Sequence, residues 1–255
     1  MRPDPYAWNI DPSGIAVTSS LLLGYALALR SYPASRRRIA CFSAGAGLIL
    51  AIHVTPLASL SNHYLLSAHL LQNIALAEWA PALCVLGVPP ALAAGLGAVP
   101  AARVLTNPLV TLPLWLGTYF AWHLPLAYDA ALAHPGTLLH LEHACYFAAG
   151  WLLWWPVVHR EPQRLTSGAK AVYLFGAFVF VSPLGLLLSL LPTAIYDFYV
   201  DAPRLWGLSP LADQQLAGVT MTAAEAVVFF AASAFYFARF VREQQSPDTV
   251  ISGSP

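Results

Sequence analysis

Charge is what this sequence has least of. Only 9% of its 255 residues are Asp, Glu, Lys or Arg, while 58% are hydrophobic; soluble domains carry about a quarter charged residues. A soluble chain of this length needs charge to cover its surface, so the deficit excludes an ordinary soluble domain and points to lipid. The formal net charge is zero, which leaves no basic face for nucleic acid. Cysteine is scarce as well. Cys41, Cys84 and Cys145 form no C-x-x-C pair and fall in apolar runs, which argues against a disulfide framework or a thiolate metal site and reads as small buried hydrophobes. With two methionines, one of them Met1, and unclustered cysteines, a soft Met/Cys relay for copper(I) has no support. No repeat of fixed period and no low-complexity arm occurs. The opening MRPDPYAWNIDPSG has neither a cationic n-region nor a small-residue cleavage site, so the first span is expected to be retained.

What is abundant is apolar sequence in runs near the roughly 20 residues that cross a bilayer. Seven spans are predicted, at about 14–31, 39–58, 64–86, 106–125, 138–158, 170–191 and 215–240. The expected fold is therefore all-α, a seven-helix integral membrane bundle. One polytopic domain over 1–245 is expected, followed by a short disordered cytoplasmic tail at 246–255. Between the third and fourth spans, VPPALAAGLGAVPAARVL is too short and too rich in Pro and Gly to cross, and reads as an interfacial helix. Pro81, Pro113 and Pro183 lie inside spans, where neighbouring groups can take up the carbonyls they release.

Orientation follows from the cations. Arg30, Arg36, Arg37, Arg38, Arg103, Arg160, Arg164, Lys170, Arg239 and Arg242 fall on one side of the predicted spans, and only Arg2 and Arg204 on the other. The rule that Lys and Arg stay in the cytoplasm then places the N-terminus outside and the C-terminus inside.

On that topology seven of the eight histidines are on the outer side. His53, His69, His123 and His143 come from four helices and lie within about two turns of the outer boundary at 1.5 Å per residue. His63 and His134 fall in outer loops, and His159 sits beside Arg160 at the cytoplasmic boundary as a solvated residue. Ionisable groups inside a span face a bundle interior or a watery cavity and mark function. His140 and His143, three apart, share a helix face and can reach one ion, whereas Glu142 points elsewhere. His69, Gln72 and Asn73 fall within about 100° of one another, and Tyr119 shares a face with His123. In the last span Gln214, Gly218, Met221 and Glu225 form a polar stripe with Asp213 at its outer mouth. Converging imidazoles suit copper, zinc or iron, including haem iron held by two histidines. Neither H-E-x-x-H nor H-x-x-E-H occurs, so a zinc-protease reading has no motif. Taken singly, His53, His63 and His134 read as structural or solvated, Glu78 and Glu225 as packing or pairing residues, and the tryptophans as belt and packing residues.

Three stretches, SNHYLLSAHLLQNIALAEWAPALCVLGVPP, WHLPLAYDAALAHPGTLLHLEHACYFAAGWLLWWPV and PLADQQLAGVTM, occur in this order. Together they resemble the polytopic CtaG family of cytochrome c oxidase (caa3-type) assembly factors, over roughly residues 15–240. The resemblance implies a non-enzymatic assembly factor of the bacterial inner or plasma membrane. Its client would be a cytochrome c oxidase subunit, and copper the metal concerned. By position, the family's pattern falls on His69 and Gln72, on Trp122, His123 and Pro125, on His140, Glu142 and His143, and on Asp213, Gln214, Gln215, Gly218 and Met221. Asn73 stands where the family usually has a second histidine. The expected metal ligands are therefore His53, His69, His123, His140 and His143. Gln72, His63, His134, Glu142, Asp213, Gln214 and Met221 are expected as supporting or additional ligands. A membrane redox enzyme with a histidine-held haem or metal is the alternative.

Overall fold

A computed structural model describes residues 4–162 and 164–245; Arg2 and the tail at 246–255 lie outside the described residues. Every regular element among the described residues is helical. In chain order these are α1 (Pro12–Ser31), α2 (Arg36–Val54), α3 (Pro56–His63), α4 (Leu66–Ile74), a π-helical turn (Ala75–Trp79) and α5 (Ala80–Gly87). There follow α6 (Pro90–Gly97), α7 (Pro100–Leu105), α8 (Pro108–Trp122), α9 (Pro125–Ala133), α10 (Leu138–Val158), α11 (Ser167–Leu190), α12 (Asp197–Val200) and α13 (Pro210–Gln245). Among the described residues, five helical stretches are long and apolar enough to cross a membrane: α1, α2, the continuous run from α4 to α5, α11 and α13. α8 has only 15 residues, because Pro125 opens a separate helix two residues after His123. α10 has 21 residues, but His140, Glu142 and His143 in its first turns lower its apolarity.

Proline sets most of these boundaries. Pro12, Pro56, Pro90, Pro100, Pro108 and Pro125 each occupy a first-turn position, where the missing N–H costs nothing and the fixed φ suits the helix. Pro56 thus ends the second predicted span early and starts α3. Pro90 and Pro100 split the predicted interfacial helix into α6 and α7. Side-chain caps complete several starts: Asp11 accepts from the Ser13 and Gly14 amides, Asn107 from Leu109, and Thr166 from Ala169. Burial works to raise the Asp11 carboxyl, yet the Ser13 hydroxyl and the two amides outweigh it and hold the group below its ordinary value.

Pro81 has no N–H to offer the carbonyl of Ala77, four residues back, and the helix relaxes into the π turn just before it. The released Ala77 carbonyl accepts from the Trp115 indole Nε1 at 3.3 Å, so α8 is tied to that turn. Gly150 of α10 packs onto the same carbonyl: a Cβ there would lie 2.1 Å from Ala77 O. A second close approach joins α11 to α13, where a Cβ at Gly218 would lie 2.4 Å from Gly185 O, the small-residue packing that membrane helices favour. The core between these contacts includes Trp115, Tyr119, Tyr128, Tyr146, Leu153 and Phe229, all fully buried.

His159 corrects an expectation. It is 4% exposed rather than solvated, and its Nε2 meets Val85 O at 3.1 Å. Arg38 Nη1 donates to Leu86 O and Val88 O at 2.9 and 2.8 Å, so an imidazole and a guanidinium together satisfy the last carbonyls of α5. Burial pushes the His159 imidazole down to about 4, against the pull of its bond to Val85.

Candidate metal centre

α4 presents His69, Gln72 and Asn73 to the interior, all 0–1% exposed. α10 presents Leu139, Glu142, His143 and Tyr146 there, at the i, i+3, i+4, i+7 spacing of one buried stripe. The expectation that Glu142 faces away from the site is therefore corrected. Its Oε1 lies 3.6 Å from His69 Nε2 and accepts from Asn73 Nδ2 at 2.9 Å. Asn73 thus steadies a carboxylate where a histidine was expected from the family pattern. His140, by contrast, is exposed, with its Nε2 2.9 Å from Ser13 Oγ.

Hydrogen-bond partners assign the tautomers of the buried histidines. His53 Nδ1 faces the Ile49 carbonyl at 2.7 Å; a carbonyl only accepts, so Nδ1 carries the proton and Nε2 the lone pair. That Nε2 lies 3.3 Å from His143 Nδ1, which therefore donates, leaving the lone pair of His143 on Nε2. His123 Nδ1 faces the Tyr119 carbonyl at 2.8 Å, with the same consequence. Tyr199 gives its single hydroxyl proton to Ser61 O, so it accepts from His69 Nδ1 at 2.9 Å. Burial, then the nearby Glu142, Asp213 and Asp129 charges, hold the Tyr199 phenol well above its ordinary value, which keeps that proton in place. His69, His123 and His143 all end with a lone pair on Nε2, and each of those atoms is buried with no hydrogen-bond partner. Glu142 Oε2, Gln72 Oε1, Asn73 Oδ1 and the Tyr128 hydroxyl are in the same condition. An imidazole anchored through Nδ1–H with Nε2 bare is the state in which histidine ligates a metal.

The rings of His69 and His143 are 6.3 Å apart and those of His53 and His143 5.3 Å. Tyr128 stands beside both His69 and His123, at 5.0 and 5.9 Å between ring centres. Among the described residues, no group of three or more His, Cys, Asp or Glu is arranged to hold a metal ion. The donor types suit a borderline metal, while their positions do not form a ligand set. Two cavities flank them. One of about 350 Å³ is lined by His53, His140, His143 and apolar residues of α1, α2 and α10. The other, about 360 Å³, is lined by Asp11, His53, His63, Gln72 and His140.

The remaining expected residues fall elsewhere. His134 is exposed, with Nδ1 3.0 Å from Ala130 O. Asp213 accepts from the amides of Leu66 and Ser67 at 2.7 and 3.2 Å and from Ser67 Oγ at 2.6 Å, so it caps α4. Gln214 accepts from Ile195 N at 2.8 Å and donates to Thr193 O at 3.1 Å, pinning the segment after α11. Met221 is packed in the hydrophobic core. Asp129 accepts from the amides of Asp197 and Phe198 and starts α12. Sequence reasoning missed Tyr128, Tyr196 and Tyr199; the i, i+3 pair Tyr196 and Tyr199, between α11 and α13, was the available signal. Deeper in the bundle, Tyr119 donates to Glu78 Oε1 at 2.9 Å, and both Glu225 oxygens are buried without partners.

Comparison with curated proteins and with solved structures gives no match. A family model does match, covering residues 22–243 and with them all three stretches that carry the resemblance. The chain belongs to the family of cytochrome c oxidase caa3 assembly factors.

Proposed function

We propose that this assembly factor carries copper as cargo at the buried cluster of α4, α8 and α10, and supports formation of a metal centre in its oxidase client. The observation that carries the reading is the set of three bare Nε2 atoms on His69, His123 and His143, with the Glu142 carboxylate 3.6 Å from the first of them. In this reading His69 and His143 are the first ligands, Glu142 offsets the ion's charge, and His123 joins past Tyr128. The Tyr199 hydroxyl, the His53 ring and the Tyr119 carbonyl hold the opposite ring nitrogens of His69, His143 and His123, which keeps the three Nε2 lone pairs turned toward the ion. His53 acts through His143 by accepting its Nδ1–H. Ligation needs neutral imidazoles, so acid releases the metal.

The topology belongs to the same proposal. With α8 and α10 added to the five apolar stretches the chain crosses seven times, with its N-terminus outside a bacterial inner or plasma membrane. The ten-to-two division of Lys and Arg favours that direction, and it puts the cluster near the outer face.

The test is elemental analysis of the full chain purified in detergent after growth with copper. Wild type is expected to hold stoichiometric copper, and His69→Ala/His143→Ala to hold none while keeping the wild-type elution volume. Unchanged copper in the double variant would refute the proposal. A Soret band in the same wild-type preparation would favour the haem alternative.

A further inference from the structure

At the end of α10 opposite His140 and His143, a cavity of about 490 Å³ opens between the C-terminal end of α10, the start of α11 and the last turns of α13. Four cations line it, Arg160, Arg164, Lys170 and Arg239, with two carboxylates, Glu161 and Glu243. Both carboxylates are already engaged. Arg164 Nη2 meets Glu161 Oε1 at 2.8 Å, and Arg239 Nε meets Glu243 Oε1 at 2.8 Å; Ser167 Oγ also donates to Glu243. Arg160 and Lys170 make no ion pair among the described residues. The half-buried Lys170 Nζ instead lies 5.1 Å from the centre of the Tyr236 ring.

We propose that this cavity binds a phosphate group, with Arg160 and Lys170 as its cationic arms. Four cations against two carboxylates leave two positive charges facing one concavity. The 24-residue α11 adds the positive end of its dipole there through Thr166 and Ser167. Guanidinium is suited to forked contact with phosphate oxygens, and ammonium acts as a point charge beside it. Val158, Leu165 and Tyr236 give one wall an apolar character, which fits a phosphate that carries hydrocarbon. Basic pockets between helices at the cytoplasmic boundary hold anionic headgroups in this manner. The same chemistry serves a phospholipid headgroup or phosphate free in solution.

Native mass spectrometry of the detergent-solubilised full chain separates the two sources. Dioleoyl phosphatidylglycerol and dioleoyl phosphatidylcholine are titrated in parallel, and inorganic phosphate is followed by thermal shift against chloride of equal ionic strength. The expected result is at least tenfold preference for phosphatidylglycerol over phosphatidylcholine, abolished in Arg160→Gln/Lys170→Gln. A control, Arg36→Gln/Arg37→Gln, removes two cations outside the cavity and is expected to keep the preference. Stabilisation by inorganic phosphate alone, lost in the same cavity variant, identifies a site for the free anion. The charge-keeping Lys170→Arg guards against misfolding and is expected to bind. No preference and no phosphate shift in wild type overturns the proposal, as does a preference that survives in the cavity variant or disappears in the Arg36/Arg37 control.

Discussion

Replacing Asp213 separates a cap from a ligand. The carboxylate receives three hydrogen bonds, from the Leu66 amide at 2.7 Å, the Ser67 amide at 3.2 Å and the Ser67 hydroxyl at 2.6 Å, and is 3% exposed. Leu65, at the N-cap of α4, supplies no side-chain cap of its own. Asp213→Ala therefore strands two amides at the start of the helix that carries His69, Gln72 and Asn73. Hydrogen bonds to a charged group contribute about 1.5–3 kcal/mol each, and they overlap here because one carboxylate serves all three. Removing the shared acceptor strands neutral donors at about 1–3 kcal/mol for each one left buried, so about 3–5 kcal/mol in all is expected for Asp213→Ala. Asp213→Asn keeps one acceptor oxygen and turns an amide donor toward the other side, so about half that loss is expected. For a chain of this size a loss of 1 kcal/mol lowers Tm by about 2–4 °C, so the alanine variant should melt about 6–20 °C lower by tryptophan fluorescence in detergent. Copper per folded chain, measured well below that midpoint, should be unchanged. A variant with wild-type Tm and no copper would refute the cap and make Asp213 a ligand.

Three further outcomes follow from the same geometry. The folded-state value of His159 lies at about 4, below an unfolded value of about 6.5, so between these pH values the unfolded chain takes up a proton that the folded one refuses. Stability from this residue is complete above about pH 6.5 and falls as pH drops toward 4, by about 3 kcal/mol at the lower end; the pH dependence of Tm in wild type minus that in His159→Gln measures it. Gly150→Ala drives a Cβ into the Ala77 carbonyl at 2.1 Å, and since backbone cannot step aside cheaply it should cost about 3 kcal/mol or more, seen as reduced yield and Tm. Asn73→Leu removes the donor to Glu142 Oε1 and should cost about 1–3 kcal/mol, with weaker retention of copper during dialysis; equal retention would show that Glu142 needs no such support.

Much of the bundle was legible because long apolar runs leave few alternatives. The predicted 138–158 coincides with α10, and the other spans agree with helices to within a few residues except where proline intervenes. Pro56 and Pro125 each moved a boundary, since proline at a first-turn position starts a new helix instead of extending the old one. The buried faces of α4 and of α13 followed from the 3.6-residue period. Glu142 did not. The i, i+3 pairing of His140 with His143 drew attention to one face, while the apolar partners Leu139 and Tyr146 set the true interior stripe at Glu142 and His143. His159 was misread because adjacency to Arg160 said nothing of the Val85 carbonyl, 74 residues away in sequence. Tertiary partners of that kind, including the Asp213 cap on α4 and the Asn73 bond to Glu142, have no local signature.

The central claim is that the bare Nε2 atoms of His69 and His143 hold copper. X-ray absorption at the copper edge of the loaded, detergent-purified chain tests it most directly. The account predicts a nitrogen and oxygen first shell with the outer-shell scattering of imidazole, lost in His69→Ala/His143→Ala. A first shell dominated by sulfur, or an imidazole signal that persists in that variant, would contradict it.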